Sequence, residues 1–396
     1  MIVRPVHALV QRVRTALVDP VRTTLSRPGA RLRWSVVVLA VVLLCSAPAL
    51  IKAVPVSAPS RTVAQLLDEV RGSDSVAFSG YAESRGTLNL PDVSTLGTSV
   101  INLLSDRSRM RVWQAGANHF RVDRLTTGAE LDVYVSGPSS LTWDSDQRSV
   151  LRQVSEPQLP LPGPPDVLPH ALGRRLLQAL PANGAGVRIV GHDRIAGRAT
   201  TELRWEPHDP RSLIGDVRLW VDPTNGLPMR VELRPVGSDR IAFETSFLDL
   251  KLGLPAPELL RFDVAGTPRA DVQDTLAPSE QDLRPPFQLP RSLAGLPQRS
   301  GSRPFIATYG TGAALVAVTA LDNATADSIR AQIDTPGRPP LKASFGEGTL
   351  VAAPMLRALI FSSADRGYVL AGTVPLEVLE AMAQELVDNP PDRNAP

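Results

Sequence analysis

Five histidines, His7, His119, His170, His192 and His208, are the side chains best suited to acid–base or metal chemistry near neutrality. No two stand at the helical spacing that would aim both imidazoles at one metal ion, and no cluster of cysteines or carboxylates accompanies them. A serine nucleophile would call for a Gly-x-Ser-x-Gly elbow, and the chain has none. It also lacks a phosphate-cradling loop with its lysine. Gly310-Thr311-Gly312 begins like a dinucleotide fingerprint, but a strand-like run follows where a helix would have to start, so it reads as a turn entering a strand. The residues therefore predict no catalytic site, no metal site and no cofactor, and an enzyme is not expected.

What remains is apolar binding. Phe78, Phe120, Trp143, Trp205, Phe243 and Phe247 fall in strand-like segments and are the candidates to line a cavity, although such residues also make an ordinary core. A cavity of this kind needs no polar contact. Burying an acyl chain gains about 0.8 kcal/mol per methylene, on the order of 10 kcal/mol for a long chain before ordering costs.

The elements that would position these aromatics lie beyond residue 60. Val63, Leu66, Leu67 and Val70 repeat at i, i+3, i+4, i+7 and predict a helix, with Ser60 as its N-cap. Strands are predicted over Val76 to Leu90, His119 to Arg124, Leu131 to Val135, Val187 to Ile195, Thr200 to Trp205 and Ile241 to Leu250. The clearest pair is Val217 to Val221 and Leu227 to Arg234, where apolar and polar residues alternate on either side of Asp222-Pro223-Thr224-Asn225-Gly226, a hairpin turn by composition. Leu172, Leu176, Leu177 and Leu180 mark a second helix near 168–180. After a second proline-dense stretch, Ala314 to Leu321 and Gly367 to Gly372 read as strands, Thr325 to Ile333 as a helix, and Leu379, Met382, Ala383 and Leu386 as one face of a last helix.

Two stretches carry six prolines each, Glu156 to Pro169 and Ala277 to Pro304. The first is expected to be a long loop or lid and the second an interdomain linker.

The N-terminal part differs in kind. Trp34 to Ile51 contains no charged residue, and seven arginines against the single acid Asp19 precede it. Length and charge predict a transmembrane anchor or export signal over residues 34–54, with a basic cytoplasmic arm at 1–33 and everything after Lys52 outside the cytoplasm. Residues 53–396 then hold 34 basic against 39 acidic residues, a net charge of −5, which removes the electrostatic basis for nucleic-acid binding. The only cysteine, Cys45, lies within the apolar run, so the exported part has no disulfide.

The run Ile195-Ala196-Gly197-Arg198, Leu203-Arg204-Trp205-Glu206-Pro207, Arg218-Leu219-Trp220-Val221-Asp222 and Gly226-Leu227-Pro228-Met229-Arg230 resembles the lipoprotein-carrier (LolA-like) superfamily. Within it, the closest resemblance is to the RseB/MucB regulators of envelope-stress sigma-E factors, of the actinobacterial type. Phe120-Arg121-Val122-Asp123, Trp143-Asp144-Ser145 and Arg261-Phe262-Asp263-Val264 extend the resemblance over roughly residues 60–275, and Tyr368 to Pro375 with the final helix resembles the smaller C-terminal domain of the same regulators. The resemblance implies an α+β fold: an N-terminal transmembrane helix, an incomplete antiparallel β-barrel with covering helices at 60–275, a proline-rich linker at 277–304, and a small α+β domain at 305–390. It also implies a lipid or lipoprotein ligand and a membrane partner such as an anti-sigma factor. The alternative is a carrier that hands lipids or lipoproteins to an envelope transporter.

Overall fold

The computed structural model describes residues 33–42, 59–88, 103–153, 163–180, 184–263, 271–275, 288–299, 306–333, 340–364 and 366–391. The chain divides into two units, 1–57 and 58–396. In the first, residues 33–42 are helical with exposed side chains. Among the described residues no helix is long and apolar enough to cross a membrane. The rest of the expected span, through residue 54, lies outside the described residues, as does Cys45.

The second unit opens with helix α1, Val63–Gly72, which buries Leu66, Leu67 and Val70 as their spacing predicts. Its N-cap is Thr62 rather than the expected Ser60. The Thr62 hydroxyl accepts from the Gln65 N–H at 3.3 Å, and Gln65 Oε1 accepts from the Thr62 N–H at 2.9 Å. This reciprocal pair satisfies two donors that a cap at Ser60 would leave open.

Twelve strands form one open sheet in the order β12-β6-β5-β4-β3-β2-β1-β11-β10-β9-β8-β7. The first meander comprises β1 Phe78–Gly86, β2 Arg107–Gly116, β3 His119–Leu125, β4 Glu130–Ser136, β5 Ser139–Asp144 and β6 Ser149–Gln153. The second comprises β7 Val187–Ile195, β8 Arg198–Trp205, β9 Ile214–Val221, β10 Pro228–Pro235 and β11 Phe243–Leu252, with β12 Asp271–Thr275 lying parallel to β6. Strand β1 joins the two meanders by pairing antiparallel with both β2 and β11.

Alternation decides the two faces. Val217, Leu219, Val221, Val231 and Leu233 are buried in the core, while Arg218, Arg230 and Arg234 form ion pairs with Asp216, Glu232 and Glu244. The β9–β10 turn is held by Asp222, whose Oδ1 accepts from the Thr224 N–H and hydroxyl at 2.9 and 2.6 Å. At its end Gly226 has φ +70°, and a Cβ there would lie 2.2 Å from the Glu69 carbonyl of α1, so only glycine lets the turn and the helix meet. Helix α2, Pro169–Leu177, packs on β10, β11 and α1, which places both helices on one face of the sheet.

A second sheet has the antiparallel order β15-β16-β20-β19-β18-β17, formed by Ala307–Thr311, Ala314–Asp322, Arg366–Gly372, Arg357–Ser363, Gly346–Ala352 and Leu341–Ala343. Helix α3, Asn323–Ile333, covers one face through Ala326, Ile329 and Ile333 against Val351 and Ile360. Helix α4, Leu376–Asp388, covers the other through Leu379, Met382, Ala383 and Leu386 against Leu359, Phe361 and Tyr368.

The expected linker differs. Its residues 288–299 carry a hairpin, β13 Ser292–Leu293 and β14 Leu296–Pro297, with Leu293 and Leu296 fully buried in the core beneath α4. The turn residues Ala294 and Gly295 both have positive φ, 49° and 71°, a backbone suited to a two-residue hairpin. The Ala294 N–H donates to Glu385 Oε2 at 2.7 Å, and the Tyr309 hydroxyl donates to the Pro290 carbonyl at 2.6 Å. Pro290 precedes the hairpin and Pro297 sits within its second strand opposite Ser292, and leucines supply the apolar content. The two sheets also touch directly. The Leu213 N–H donates to the Thr373 carbonyl at 2.8 Å, and Ala313, Ala353 and Met355 belong to the core of the first sheet.

Candidate functional site

The helix-bearing face of the large sheet is the place to seek a ligand, because there short helices roof an apolar floor beside clefts. Pro169 starts α2 with a fixed φ and no N–H to satisfy. One turn of α2 carries His170 down into the sheet, where its ring meets Phe78 edge-on at 5.1 Å and stacks on Phe247 at 6.0 Å. Phe78 and Phe247 meet each other edge-on at 5.4 Å. Burial, aided by the neighbouring Arg174 charge, pushes the His170 pKa down to about 3, and its Nδ1 is buried without a hydrogen-bond partner. The imidazole is therefore a neutral core group at physiological pH.

Beneath α2 runs an apolar slit of only about 20 Å³, lined by Leu67, Leu176, Leu180, Leu203, Trp205 and Leu219 among others. At one end the slit shares Leu177 with a cleft of about 560 Å³ between α2 and the β2–β3 turn. At the other it shares Leu180 and Trp205 with a cleft of about 760 Å³ that reaches Gly310, Thr311 and Gly312 of the second sheet. Those three residues make the expected turn into a strand, β15 ending at Thr311 and β16 starting at Ala314.

The six candidate aromatics divide among several places. Phe78, Phe243 and Phe247 are buried core; Trp205 lines the slit; Phe120 is half-buried on the wall of the 560 Å³ cleft. Trp143 does not join them. It lies opposite Asp132 of β4 in the register and packs against Phe262, 5.8 Å away, which also meets Tyr134. Pairing parity, invisible in a short polar strand, sends it to the other face. His170 and Arg174 are the site residues that sequence reasoning missed. Their i, i+4 spacing on an expected helix was the available signal.

On that other face Arg121 lies between the rings of Trp113, at 4.9 Å, and Tyr134, at 4.7 Å, and bonds Asp123 at 2.5 Å and Asp132 at 3.0 Å. Asp123, Glu130 and Asp132 bring carboxylate oxygens within 4.8 Å of one another, with Arg111 and Arg121 set among them as counter-charges. Burial, then the Asp123 charge, pushes Asp132 up to about 7. Among the described residues no histidine is hydrogen-bonded to a carboxylate. His192 meets Thr201 Oγ1 at 3.3 Å, and His7 lies outside the described residues.

No family model matches the chain, and no curated protein sequence matches it. Solved structures do. MucB in complex with MucA(peri) aligns at 20% identity over 85% of this chain and 100% of that one, with a TM-score of 0.45. The MucA/MucB complex of Pseudomonas aeruginosa aligns at 18% over 81% and 96%, with a TM-score of 0.39. A LolA superfamily protein of Nitrosomonas europaea, NE2245, aligns at 13% over 51% and 99%, with a TM-score of 0.24. The structural neighbours are MucB and LolA-superfamily proteins.

Proposed function

We propose that the chain is a non-enzymatic envelope regulator, held at the cell membrane through residues 34–54 with its N-terminus cytoplasmic and residues 58–396 outside. Its large sheet receives a lipid or lipidated ligand, and the protein reports to a membrane partner such as an anti-sigma factor. The motif run from Ala196 to Arg230 supports the regulator reading through its resemblance. The observation that carries the ligand reading is the apolar slit beneath α2, which shares lining residues with two neighbouring clefts.

At about 20 Å³ the slit is too small for an acyl chain, so α2 must lift for one to enter. The energies make that exchange feasible. The three leucines of α2, with Leu180 just beyond it, contribute about 2 kcal/mol each by burial, and an acyl chain taking their place returns about 0.8 kcal/mol per methylene. Both sums are on the order of 10 kcal/mol, so ligand and helix compete on level terms.

Native mass spectrometry of residues 58–396 purified from the host is the test. A co-purifying lipid or acylated peptide is the expected result. A ligand-free protein that also takes up no long-chain apolar probe would remove the ligand reading.

A further inference from the structure

On the face of the large sheet opposite α1 and α2, three carboxylates share two guanidiniums. Asp123 of β3 stands directly across from Asp132 of β4, and both are buried. Arg121 bonds the two of them, at 2.5 and 3.0 Å, while Arg111 of β2 reaches Asp123 at 3.3 Å and Glu130 at 2.9 Å. Two cations and three acids balance only when one acid holds a proton. Asp132 is that acid: its Oδ1 is buried without a hydrogen-bond partner, and burial, then the Asp123 charge, pushes it up to about 7. From β5 it meets the uncharged Trp143.

A cover lies against this cluster. The chain leaves β11 at Gly253, whose φ of +122° favours glycine, and then forms the short helical turn Pro257–Leu260. Arg121 Nη1 donates to the Leu259 carbonyl at 3.5 Å, Leu260 is buried, and the Phe262 ring meets Tyr134 at 5.5 Å and Trp143 at 5.8 Å. Those two rings flank Asp132, Trp143 across the strand pair and Tyr134 two residues along β4. Glu258, Arg261 and Asp263, the charged residues of this segment, are exposed. One guanidinium thus serves both acids and the cover, which links the charge of the acids to the seat of the segment.

We propose that residues 257–262 form a strap that stays down in acid and lifts as the medium approaches neutrality, with the Asp123–Asp132 pair as its trigger. A proton on Asp132 leaves a neutral cluster that tolerates an apolar cover. Its loss leaves two buried anions side by side, and water reaches them once Phe262 swings off Tyr134 and Trp143. The lifted state bares both rings, so the outer face of β4 and β5 gains an aromatic surface at neutral pH that it lacks in acid. The covered acid keeps its proton up to about pH 7, whereas an exposed aspartate loses it near about pH 4. Opening therefore gains up to about tenfold per pH unit between those values and levels off above them.

Residues 58–396 serve for the test, since every apolar core of the described residues draws on Val63 and beyond. Hydrogen exchange is followed over 257–263 and, for comparison, over 359–361 of the second sheet, each corrected for the intrinsic effect of pH. So short a turn does not persist once lifted, so the Leu259 and Arg261 amides, which donate to the Ala256 and Glu258 carbonyls, report opening. Their protection in the unaltered protein should fall about tenfold or more from about pH 4.5 to about pH 7.5, while that of the second sheet does not fall. Asp132→Asn should hold the protection level across this range, and Phe262→Ala should keep it low throughout. Unchanged protection of 257–263 in the unaltered protein overturns the strap. A fall that survives Asp132→Asn overturns the trigger and with it the proposal, and a fall shared by 359–361 assigns the effect to the whole fold instead.

Discussion

Gly173 of α2 stands over Pro228 of β10 so closely that a Cβ on residue 173 would lie 2.7 Å from the Pro228 Cβ and 2.9 Å from Leu219 Cδ1. The helix is seated on the sheet because this one position has no side chain, and its seating keeps the slit closed. Gly173→Leu should lift α2, lowering stability in urea by about 2 kcal/mol through overpacking while raising uptake of a long-chain fluorescent probe severalfold. Unchanged stability and unchanged uptake would show that α2 does not gate the slit.

His170 gives the fold a dependence on acidity. Its folded-state pKa, about 3, lies below the ordinary 6.5, so the unfolded chain binds the proton more readily. The associated stability is present above pH 6.5 and is lost as pH falls toward 3, by up to about 1.4 kcal/mol per pH unit. Urea midpoints should therefore decline from pH 7 to pH 4. His170→Leu should flatten the decline, which a matched titration series would check.

Asp132 acts in the opposite sense. Its pKa, raised to about 7, means that the folded state prefers the protonated acid. The stability tied to it is full below about pH 4 and is lost as pH rises through 7. Asp132→Asn should accordingly raise stability by about 1–3 kcal/mol at pH 8, less whatever the weakened Arg121 bond costs, and by almost nothing at pH 4. Equal effects at both pH values would place the cause elsewhere.

Leu293 and Leu296 test the assignment of the hairpin to the second sheet. Each is fully buried, so either leucine changed to alanine should cost about 2–4 kcal/mol. Proteolysis should then cut first within the second sheet. Sites that merely spaced two domains would tolerate both changes.

Topology can be checked directly. A reporter fused after residue 60 should be active only outside the cytoplasm, because the arginine excess lies ahead of the apolar run. Activity in the cytoplasm would reverse the proposed orientation.

Strands with one wet and one dry face could be read from the sequence, and those without could not. Strands β9 and β10 alternate apolar and polar residue types around their turn, although Asp216, Trp220 and Glu232 are buried as well, and α1 and α4 show one apolar face each. Strand β2 was missed because Ser108 and Gln114 share its inward side with Met110 and Val112, which dilutes the pattern. Strand β19 was missed for another reason: Leu359, Ile360 and Phe361 are buried in succession between α3 and α4, so no alternation exists to find. The aromatic positions were legible as apolar, but which face each takes depends on register. Trp143 therefore takes the other side, while His170, one of three polar residues on α2 with Arg174 and Arg175, carries no sign of its burial in the sequence.

The double pairing of β1 has a consequence for how the protein matures. Phe78 sits opposite Gln114 on one side and Leu252 on the other, so one edge of β1 finds its mate nearby and the other must wait for a strand far along the chain. A polypeptide delivered from its N-terminus would expose that unpaired edge, with Phe78 beside it, throughout the delivery of the second meander. Such long-range closure slows folding and leaves an open strand edge ready to pair with other chains. The biogenesis of this protein should thus depend on helpers that shield nascent β-edges, and its yield should suffer first when they are scarce.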